Sequence, residues 1–323
     1  MTMSVEKPVL EVRNLDVTFR KGRQSVSAVA GISFDLYEGE TLGLVGESGC
    51  GKSTTGKALM QIVEPTGGQI IVEGRDLMSL DRKEARRLRT RMQMIFQDPV
   101  SSLNPRRRVK DIVAEPLDCW KTAKGAEREE IVNSILNQVG IDPAVYGNRY
   151  ARQFSGGQCQ RISIARSLAM RPGVLICDEV VSALDVSIQA QILNLLEDLK
   201  KEYGLTMLFI AHDLAVVKNI SDRVAVMYLG KLCEVGPSDT MYATPAHPYT
   251  KFLLGAALEA DPDSPMHNET LGGEPPSPLN PPSGCRFRTR CPYATELCAT
   301  EEPVLRQIGP KHQVACHFPL AGQ

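Results

Sequence analysis

The sequence predicts an α/β fold in which helices cover a mainly parallel sheet, and three observations support this class. Residues 9–19 and 33–46 have strand-like patterns, and the second run leads into a glycine-rich loop. Residues 174–177 and 208–211 are continuous apolar runs, which are typical of parallel strands buried on both faces. Helical patterns lie between these runs, and such alternation favours a parallel sheet sandwiched by helices.

The predicted helices follow from apolar periodicity and from the residues at their ends. A helix is expected from Lys52, directly after the glycine-rich loop. Residues from about 98 to 165 have a largely helical pattern, and a helix is predicted over 158–170. Apolar residues between 188 and 199 recur at helical spacing, and Gly204 is a natural end for that helix.

Composition and charge are those of an ordinary globular chain. A length of 323 residues suggests two domains, at about 150 residues each. Hydrophobic residues make up 42% and the net charge is −1, which excludes wholesale disorder and gives no general signature of nucleic-acid binding. The chain shows neither an apolar run near the ~18 residues of a membrane span nor a secretory signal at its start. We therefore expect a cytosolic protein, in which the scattered cysteines are packing residues: Cys50, Cys119, Cys159, Cys177 and Cys233.

The strongest local motif is the glycine-rich loop, which fits the pattern G-x-x-x-x-G-K-S/T. Glycines let the backbone curl so that its N–H groups face phosphate oxygens, and the following helix N-terminus adds positive charge. In this pattern Lys52 reaches the β- and γ-phosphates and the Ser53 hydroxyl binds Mg²⁺. The motif therefore predicts a site for ATP and Mg²⁺ formed by Gly46, Glu47, Ser48, Gly49, Cys50, Gly51, Lys52, Ser53 and Thr54.

Two carboxylates, Asp178 and Glu179, follow the apolar run 174–177. Open α/β sheets bind ligands at the carboxyl ends of their strands. A carboxylate there holds Mg²⁺, and the next one polarises an attacking water. An isolated acidic pair is often only a solvated strand end, but together with a phosphate loop it predicts the second part of an ATPase site.

A third motif, FSGGQ at 154–158, marks the start of a helix. Ser155 is a natural N-cap, and the two glycines leave backbone N–H groups open to an anion. The motif by itself is equally well explained as an ordinary glycine-rich helix start.

Together these motifs resemble the ATPase subunits of ABC transporters. The phosphate loop, Gln97, FSGGQ, the Asp-Glu pair, SALD at 182–185 and His212 occur in the order and spacing of that family. The resemblance implies a RecA-like P-loop NTPase core with an ABC β-subdomain and an α-helical subdomain. It also implies that two subunits close head to tail around ATP.

The resemblance implies a role for each matched residue. Gln97 and Asp178, with Ser53, would hold Mg²⁺, while Glu179 activates water and His212 contacts the γ-phosphate. Residues that would contact the nucleotide of the partner subunit are Ser155, Gly156, Gly157, Gln158 and Asp185.

Simpler interpretations of three matched residues stay open. Phe19 matches the aromatic residue that stacks on adenine, but it could also be a core residue. His212 could be a core histidine after a buried strand, and Asp185 could cap the helix that follows it. The family usually has proline after the catalytic glutamate, whereas Val180 stands here, so the turnover rate is in doubt.

The C-terminal part of the chain indicates which subfamily of ABC transporter ATPases this sequence resembles. HPYT at 247–250, the proline-rich stretch 275–282 and residues 283–292 resemble the extension of oligopeptide/dipeptide importer ATPases. FSGGQCQR at 154–161 favours the F-type subunit of the oligopeptide system. We therefore predict a nucleotide-binding domain over 1–257, with its helical subdomain at about 98–165, and an extension over 258–323.

The extension contains four cysteines spaced C-x5-C-x6-C-x17-C, namely Cys285, Cys291, Cys298 and Cys316. Four neighbouring thiols in a cytosolic chain suggest a soft-metal site, although the spacing matches neither common zinc fingers nor ferredoxins. The resemblance implies a four-iron, four-sulfur cluster that would stabilise a segment too small to bury its own core. Reduced packing thiols are the alternative.

The resemblance thus implies the ATP-hydrolysing subunit of an oligopeptide or dipeptide importer, peripheral to the cytoplasmic face of the inner membrane. Its implied partners are a second ATPase subunit, of the D-type in a heterodimer, two membrane permease subunits and, indirectly, an extracytoplasmic peptide-binding protein; nucleic acid is not expected. Nickel, glutathione or an oligosaccharide derivative is the alternative cargo, which nothing in these residues excludes, because such a subunit need not touch the solute. A non-transport ABC ATPase is less favoured, since no coiled coil, DNA-binding insertion or second cassette is visible.

Overall fold

The computed structural model describes residues 7–22, 24–258 and 275–320, which divide into two compact units. The first unit is built mainly from Ser79–Leu208. The second is built from the described parts of Leu10–Leu36, Glu40–Met78 and Phe209–Gln323. Both units combine helices with strands, which confirms the predicted α/β class.

The strands, in chain order, are β1 (Pro8–Lys21), β2 (Gln24–Tyr37), β3 (Thr41–Val45), β4 (Gly67–Val72), β5 (Arg75–Asp76), β6 (Met92–Ile95), β7 (Val174–Asp178), β8 (Thr206–Ile210), β9 (Arg223–Tyr228), β10 (Lys231–Pro237), β11 (Arg306–Gly309) and β12 (His312–Val314). The helices are α1 (Lys52–Leu59), α2 (Arg82–Leu88), α3 (Pro99–Ser102), α4 (Val109–Trp120), α5 (Gly125–Gln138), α6 (Pro143–Tyr146), α7 (Gly156–Leu168), α8 (Val186–Tyr203), α9 (Leu214–Ile220), α10 (Ser238–Ala243), α11 (Pro248–Leu258) and α12 (Glu296–Thr300). None of the described helices is long and apolar enough to cross a lipid bilayer.

The first unit is mostly helical and contains one pair of parallel strands. β6 pairs with β7 so that Ile95 lies opposite Cys177, and every residue of β7 is buried. Helices α4, α5 and α7 contact one another and bury apolar side chains such as Ile112, Leu136 and Ile162. The carboxyl ends of β6 and β7 therefore lie side by side at one edge of this unit.

The second unit contains two groups of paired strands. One is a four-stranded sheet in the order β2-β1-β4-β5, in which Leu10 of β1 lies opposite Val72 of β4. In the other, β3 pairs in parallel with β9, while β10, β12 and β11 continue it in antiparallel fashion. All five residues of β3 are buried, and its carboxyl end leads into the glycine-rich loop and α1.

The strand-like run 33–46 covers the end of β2 and all of β3, and a turn at Gly39, with φ of +73°, separates these two strands. The bounds predicted for the helix over 158–170 were wrong by two residues. This helix is α7, which begins at Gly156, directly after its N-cap Ser155, and ends at Leu168. Gly204, with φ of +62°, ends α8 as predicted. The predicted domain boundary at 257/258 lies beside residues 259–274, which are outside the described part of the chain.

The scattered cysteines are packing residues with one exception. Cys50, Cys159, Cys177 and Cys233 are buried, and burial raises the pKa of each thiol. Cys119 is exposed on α4, so the prediction was wrong for this residue.

Candidate functional site

Residues 46–51 form a tight loop between β3 and α1 in the second unit, and Lys52 and Ser53 are the first two residues of α1; together residues 46–53 make up the phosphate loop motif. Gly46 and Gly51 have φ of +152° and +110°. A Cβ atom on Gly46 would lie 2.1 Å from the carbonyl oxygen of Met227, and one on Gly51 would lie 2.1 Å from that of Ala28. Only glycine combines this backbone conformation with such a close approach. Within the described part of the chain no side chain caps the start of α1, so the N-terminus of this helix is suited to bind an anion.

The side chain of Lys52 is hydrogen-bonded to the backbone at the start of the same loop. Its Nζ donates to the carbonyl oxygens of Gly46 at 2.7 Å and Glu47 at 3.0 Å, and the residue is only 4% exposed. A third, weak contact of 3.9 Å leads to Sγ of Cys50. An ammonium group has three donors, so a phosphate oxygen could replace this weak contact without loss of the other two.

Two other residues predicted in the second unit are exposed. Phe19 is 47% exposed, and His212 is exposed directly after the buried Ala211. The alternative that either side chain is a core residue is therefore wrong. Both side chains are accessible to a ligand from solvent.

In the first unit, the parallel pairing of β6 and β7 brings Gln97 and Glu179 together. Gln97 follows β6 by two residues, and Glu179 follows β7 directly. The Nε2 of Gln97 donates to Oε2 of Glu179 at 2.7 Å. Asp178, the last residue of β7, is 2% exposed, whereas Glu179 is half-buried. Sequence analysis selected all three residues, and the structure places two of them in direct contact.

The backbone of Glu179 is in the left-handed region, with φ of +48°. Such a conformation costs a non-glycine residue about 1–3 kcal/mol and persists only where the surroundings hold it. Here the carbonyl oxygen of Glu179 accepts from the N–H of Ser182 at 3.1 Å and from its Oγ at 2.9 Å. Val180 and Val181 are 2% and 4% exposed. The turn after Glu179 is thus held by hydrogen bonds and apolar burial in the absence of the usual proline.

The FSGGQ segment forms a capped and exposed helix N-terminus. Oγ of Ser155 accepts the N–H of Gln158 at 3.4 Å, while Oε1 of Gln158 accepts the N–H of Ser155 at 3.1 Å. This is the reciprocal arrangement of a capping box. Ser155 and Gly156 are exposed, so this helix end presents N–H groups to solvent.

The same helix packs against the start of α8. A Cβ atom on Gly157 would lie 2.8 Å from Cγ2 of Ile188. Asp185 caps α8 by accepting the N–H of Ile188 at 3.0 Å, and the hydrogen bond from Ser187 is the main cause that lowers the pKa of Asp185. Asp185 is therefore a helix cap, which leaves its predicted role at a partner's nucleotide untouched.

Comparison with known proteins decides the family. Residues 29–182 match the family described as ABC transporter, and residues 233–298 match the oligopeptide/dipeptide transporter C-terminal region. The chain is 50% identical over 323 residues to the oligopeptide transport ATP-binding protein OppF of Salmonella typhimurium, covering 96% of both chains. It is 51% identical to YkfD of Bacillus subtilis, which is named as an oligopeptide transport ATP-binding protein, over 96% of this chain and 95% of the relative. The chain belongs to the ABC transporter ATP-binding family.

Solved structures agree with this assignment. The chain resembles cbiO1 from Clostridium perfringens, part of the ABC transporter complex cbiONQ, with a TM-score of 0.66 at 27% identity over 79% of this chain and 96% of that one. It also resembles the dimeric ATP-binding cassette MJ0796 in a post-hydrolysis state bound to ADP and Pi, with a TM-score of 0.63 at 27% identity over 71% and 98% of the two chains. This ABC ATP-binding protein therefore has the predicted P-loop NTPase fold and is an ATPase.

The four cysteines of its C-terminal region do not fit the predicted iron–sulfur cluster. Cys285, Cys291, Cys298 and Cys316 line one small cavity. Among the residues described, however, no group of three or more His, Cys, Asp or Glu side chains is arranged to hold a metal ion. Burial raises the pKa of three of these thiols, that of Cys316 to about 11.

Sequence analysis missed the contacts that hold Glu47. Nη1 of Arg290 lies 2.9 Å from both carboxylate oxygens of Glu47. The backbone N–H of Glu47 donates to the phenol oxygen of Tyr249 at 3.0 Å. No spacing rule connects residues 243 positions apart, so this contact had no local signal in the sequence.

Proposed function

We propose that this ABC ATP-binding protein hydrolyses ATP to drive the import of oligopeptides or dipeptides through a membrane permease. The match of residues 233–298 to the oligopeptide/dipeptide transporter C-terminal region carries the peptide part of the proposal. The relatives named for oligopeptide transport support it, since they match nearly the whole chain at about half identity.

In this proposal the triphosphate binds to the loop 46–53, where Lys52 and the open N-terminus of α1 supply positive charge. Phe19 stacks on adenine, and His212 contacts the γ-phosphate. Hydroxyl, carboxylate and amide oxygens suit Mg²⁺, so the donor set fits that ion. Ser53, Gln97 and Asp178 are the residues that would hold Mg²⁺, which would neutralise charge on the phosphates.

Glu179 is the proposed general base. Its carboxylate takes a proton from water while the water oxygen bonds to the γ-phosphorus and the bond to the leaving oxygen of ADP breaks. The hydrogen bond from Gln97 occupies Oε2 of Glu179 in the present structure. Gln97 must therefore release this oxygen, or leave the other one to act, before the proton is transferred.

The exposed start of α7 is the proposed contact with a second ATPase subunit. Ser155, Gly156, Gly157 and Gln158 would bind the nucleotide held by that subunit, together with Asp185. A D-type subunit in a heterodimer is the proposed partner, with two permease subunits, a peptide-binding protein acting indirectly, and a position at the cytoplasmic membrane face. The proposed subunit has no iron–sulfur cluster, because the described cysteines are not arranged as a metal site.

Uptake by whole cells tests the proposal. Cells with wild type, Glu179→Gln or Glu197→Gln at matched expression would be given labelled peptides of two to six residues, nickel and glutathione. Glu197 is a matched control, because it pairs with Lys201 on the surface of α8. We expect Glu179→Gln alone to abolish uptake of peptides.

Other outcomes separate the parts of the proposal. Loss of nickel or glutathione uptake instead would show that the cargo is wrong and keep the mechanism. Unchanged uptake of every solute, with ATPase activity lost in the purified variant, would exclude the importer role.

A further inference from the structure

The C-terminal segment 285–291 docks beside the phosphate loop through one buried aromatic ring. Phe287 is 1% exposed, and its ring centroid lies 5.4 Å from that of Tyr228 and 5.3 Å from that of Tyr249. Tyr228 and Tyr249 are themselves 4.7 Å apart, so the three rings form one aromatic cluster. The N–H of Arg290 donates to the carbonyl oxygen of Phe287 at 3.0 Å, which fixes Arg290 next to this cluster.

From this position the side chain of Arg290 contacts the phosphate loop. Its side chain is 7% exposed, and its Nη1 lies 2.9 Å from each carboxylate oxygen of Glu47 and 3.4 Å from the phenol oxygen of Tyr228. The Glu47 side chain is 24% exposed, so the guanidinium of this ion pair is more deeply buried than the carboxylate. A pair of this kind is screened less than one on an open surface.

Glu47 is held by the same cluster through its backbone. Its N–H donates to Tyr249, and its carbonyl oxygen accepts from Lys52, the residue proposed to reach the phosphates. Glu47 is also the one acidic residue in the loop 46–53. A carboxylate in a loop that binds a triphosphate repels it unless a cation neutralises the carboxylate or holds it away.

We propose that Arg290 of the C-terminal region is a positioning residue for the phosphate loop. It neutralises Glu47 and fixes the first turn of the loop, so that affinity for ATP depends on how the segment 285–291 is docked. The C-terminal region thereby contributes to nucleotide binding in its own chain, in addition to any role it has in recognising a transporter.

Nucleotide affinity of purified full-length variants tests this proposal, with Mg·ATP as the ligand in a calorimetric or fluorescence titration. Arg290→Met should weaken binding about tenfold, because it leaves a carboxylate uncompensated beside the phosphates. Arg290→Lys keeps the charge and should lose less. Arg288→Met is the control, because the Arg288 side chain donates its hydrogen bonds to Ser283 in the described structure, whereas that of Arg290 donates to Glu47.

A second substitution separates charge from packing. Adding Glu47→Gln to Arg290→Met should restore most of the lost affinity, because the repelling charge is then gone. If the loss came only from disturbed packing, the double variant would bind as weakly as Arg290→Met or worse. Glu47→Asp is the substitute test if Arg290→Met does not fold. The shorter side chain keeps its charge but draws the carboxylate away from Arg290, so this variant should also bind Mg·ATP more weakly.

Because the inference rests on the proposed ATP-binding role of residues 46–53, Lys52→Ala is measured alongside. If Lys52→Ala loses binding while Arg290→Met and Glu47→Asp bind as wild type does, the role of Arg290 is wrong and the ATP site stands. If Lys52→Ala binds ATP normally, the proposed site itself is wrong.

Discussion

The side-chain amide of Gln97 donates a hydrogen bond to Oε2 of Glu179, over a nitrogen–oxygen distance of 2.7 Å. The parallel pairing of β6 with β7 produces this contact, since Ile95 lies opposite Cys177 just before the two side chains. A hydrogen bond from a neutral amide holds the glutamate in one orientation while it waits for a substrate. It also connects the proposed base to one of the residues proposed to hold Mg²⁺.

The proposed role of Glu179 predicts a large effect on turnover with little effect on binding. Glu179→Gln keeps the size of the side chain and its contact with Gln97 but cannot accept a proton. We expect kcat for ATP hydrolysis to fall about a hundredfold or more, with the Kd for ATP within a few-fold of wild type. Phosphate release and nucleotide titration measure the two quantities. A variant that kept half of the wild-type kcat would remove Glu179 from the mechanism.

Two adjacent glycines of α7 predict opposite outcomes for the same substitution. Gly156 has open space, with the nearest atom to an added Cβ 3.9 Å away at Cδ2 of Leu184, whereas a Cβ on Gly157 meets Cγ2 of Ile188 at 2.8 Å. Gly157→Ala should therefore lower the free energy of unfolding by about 1–3 kcal/mol. Gly156→Ala should leave stability unchanged or slightly higher, because alanine favours the helix.

ATPase activity should distinguish the Gly156→Ala and Gly157→Ala variants in a different way from stability. Gly156→Ala adds a methyl group to the exposed helix start that is proposed to bind the partner's nucleotide, so ATPase activity should fall although the fold is intact. Adding Ile188→Ala to Gly157→Ala should recover part of the lost stability, because it removes the clashing methyl group. Denaturant unfolding and ATPase assays are the measurements, and equal stability of the two alanine variants would contradict the packing argument.

The phosphate loop shows how far the sequence predicts a site. The motif alone identified Gly46, Gly51 and Lys52, because the phosphate-binding geometry needs those residue types at that spacing. What it could not predict were the backbone carbonyls of Ala28 and Met227, which make the glycines obligatory from distant parts of the chain.

Tertiary contacts explain the remaining differences. The run 33–46 is strand-like in both of its parts, so the pattern did not mark the turn at Gly39 that separates β2 from β3. Four thiols close together in the sequence suggested a metal site, but nearness in sequence does not determine whether side chains are arranged to hold a metal ion, and the described ones are not. Arg290 was part of a recognised family segment, yet its partner Glu47 lies 243 positions away.

Alanine substitutions at Gly51 and Gly204 test how strongly the contact between the phosphate loop and the backbone of Ala28 constrains residue 51. Gly51 and Gly204 both have positive φ, of +110° and +62°, but only Gly51 faces a backbone atom within 4 Å. Gly204→Ala should cost about 1 kcal/mol of unfolding free energy, from backbone conformation alone. Gly51→Ala should cost about 3 kcal/mol or more, because the carbonyl of Ala28 must also move. Similar losses for both variants, measured by denaturant unfolding, would show that the loop yields easily.

Stability should fall in mild acid because His247 is buried in its neutral form. The imidazole is 2% exposed, its Nδ1 accepts the N–H of Tyr249 at 3.0 Å, and its ring lies 5.8 Å from that of Phe287. Burial lowers the pKa of His247 to about 4, although the nearby carboxylate of Glu234 opposes the shift. An Nδ1 that accepts a hydrogen bond cannot also carry a proton, which agrees with the direction of the shift.

The sign follows from proton binding by the two states. The histidine has a pKa of 6.5 when unfolded and about 4 when folded, so between these values the unfolded chain binds a proton that the folded chain does not. The neutral, buried His247 therefore contributes its full share to the free energy of unfolding above pH 6.5, and this share is lost as the pH falls toward 4. Between pH 7 and pH 5 the free energy of unfolding should drop by about 2 kcal/mol from this group.

His247→Asn provides the matched comparison, since the asparagine oxygen can accept the same N–H from Tyr249 but does not titrate. Urea unfolding of wild type and variant at pH 7 and pH 5 measures the difference. Wild type should lose about 2 kcal/mol more than the variant over this interval, whatever the absolute stability of the variant. Parallel losses in the two proteins would mean that His247 is protonated in the folded chain, and that other groups govern its behaviour in acid.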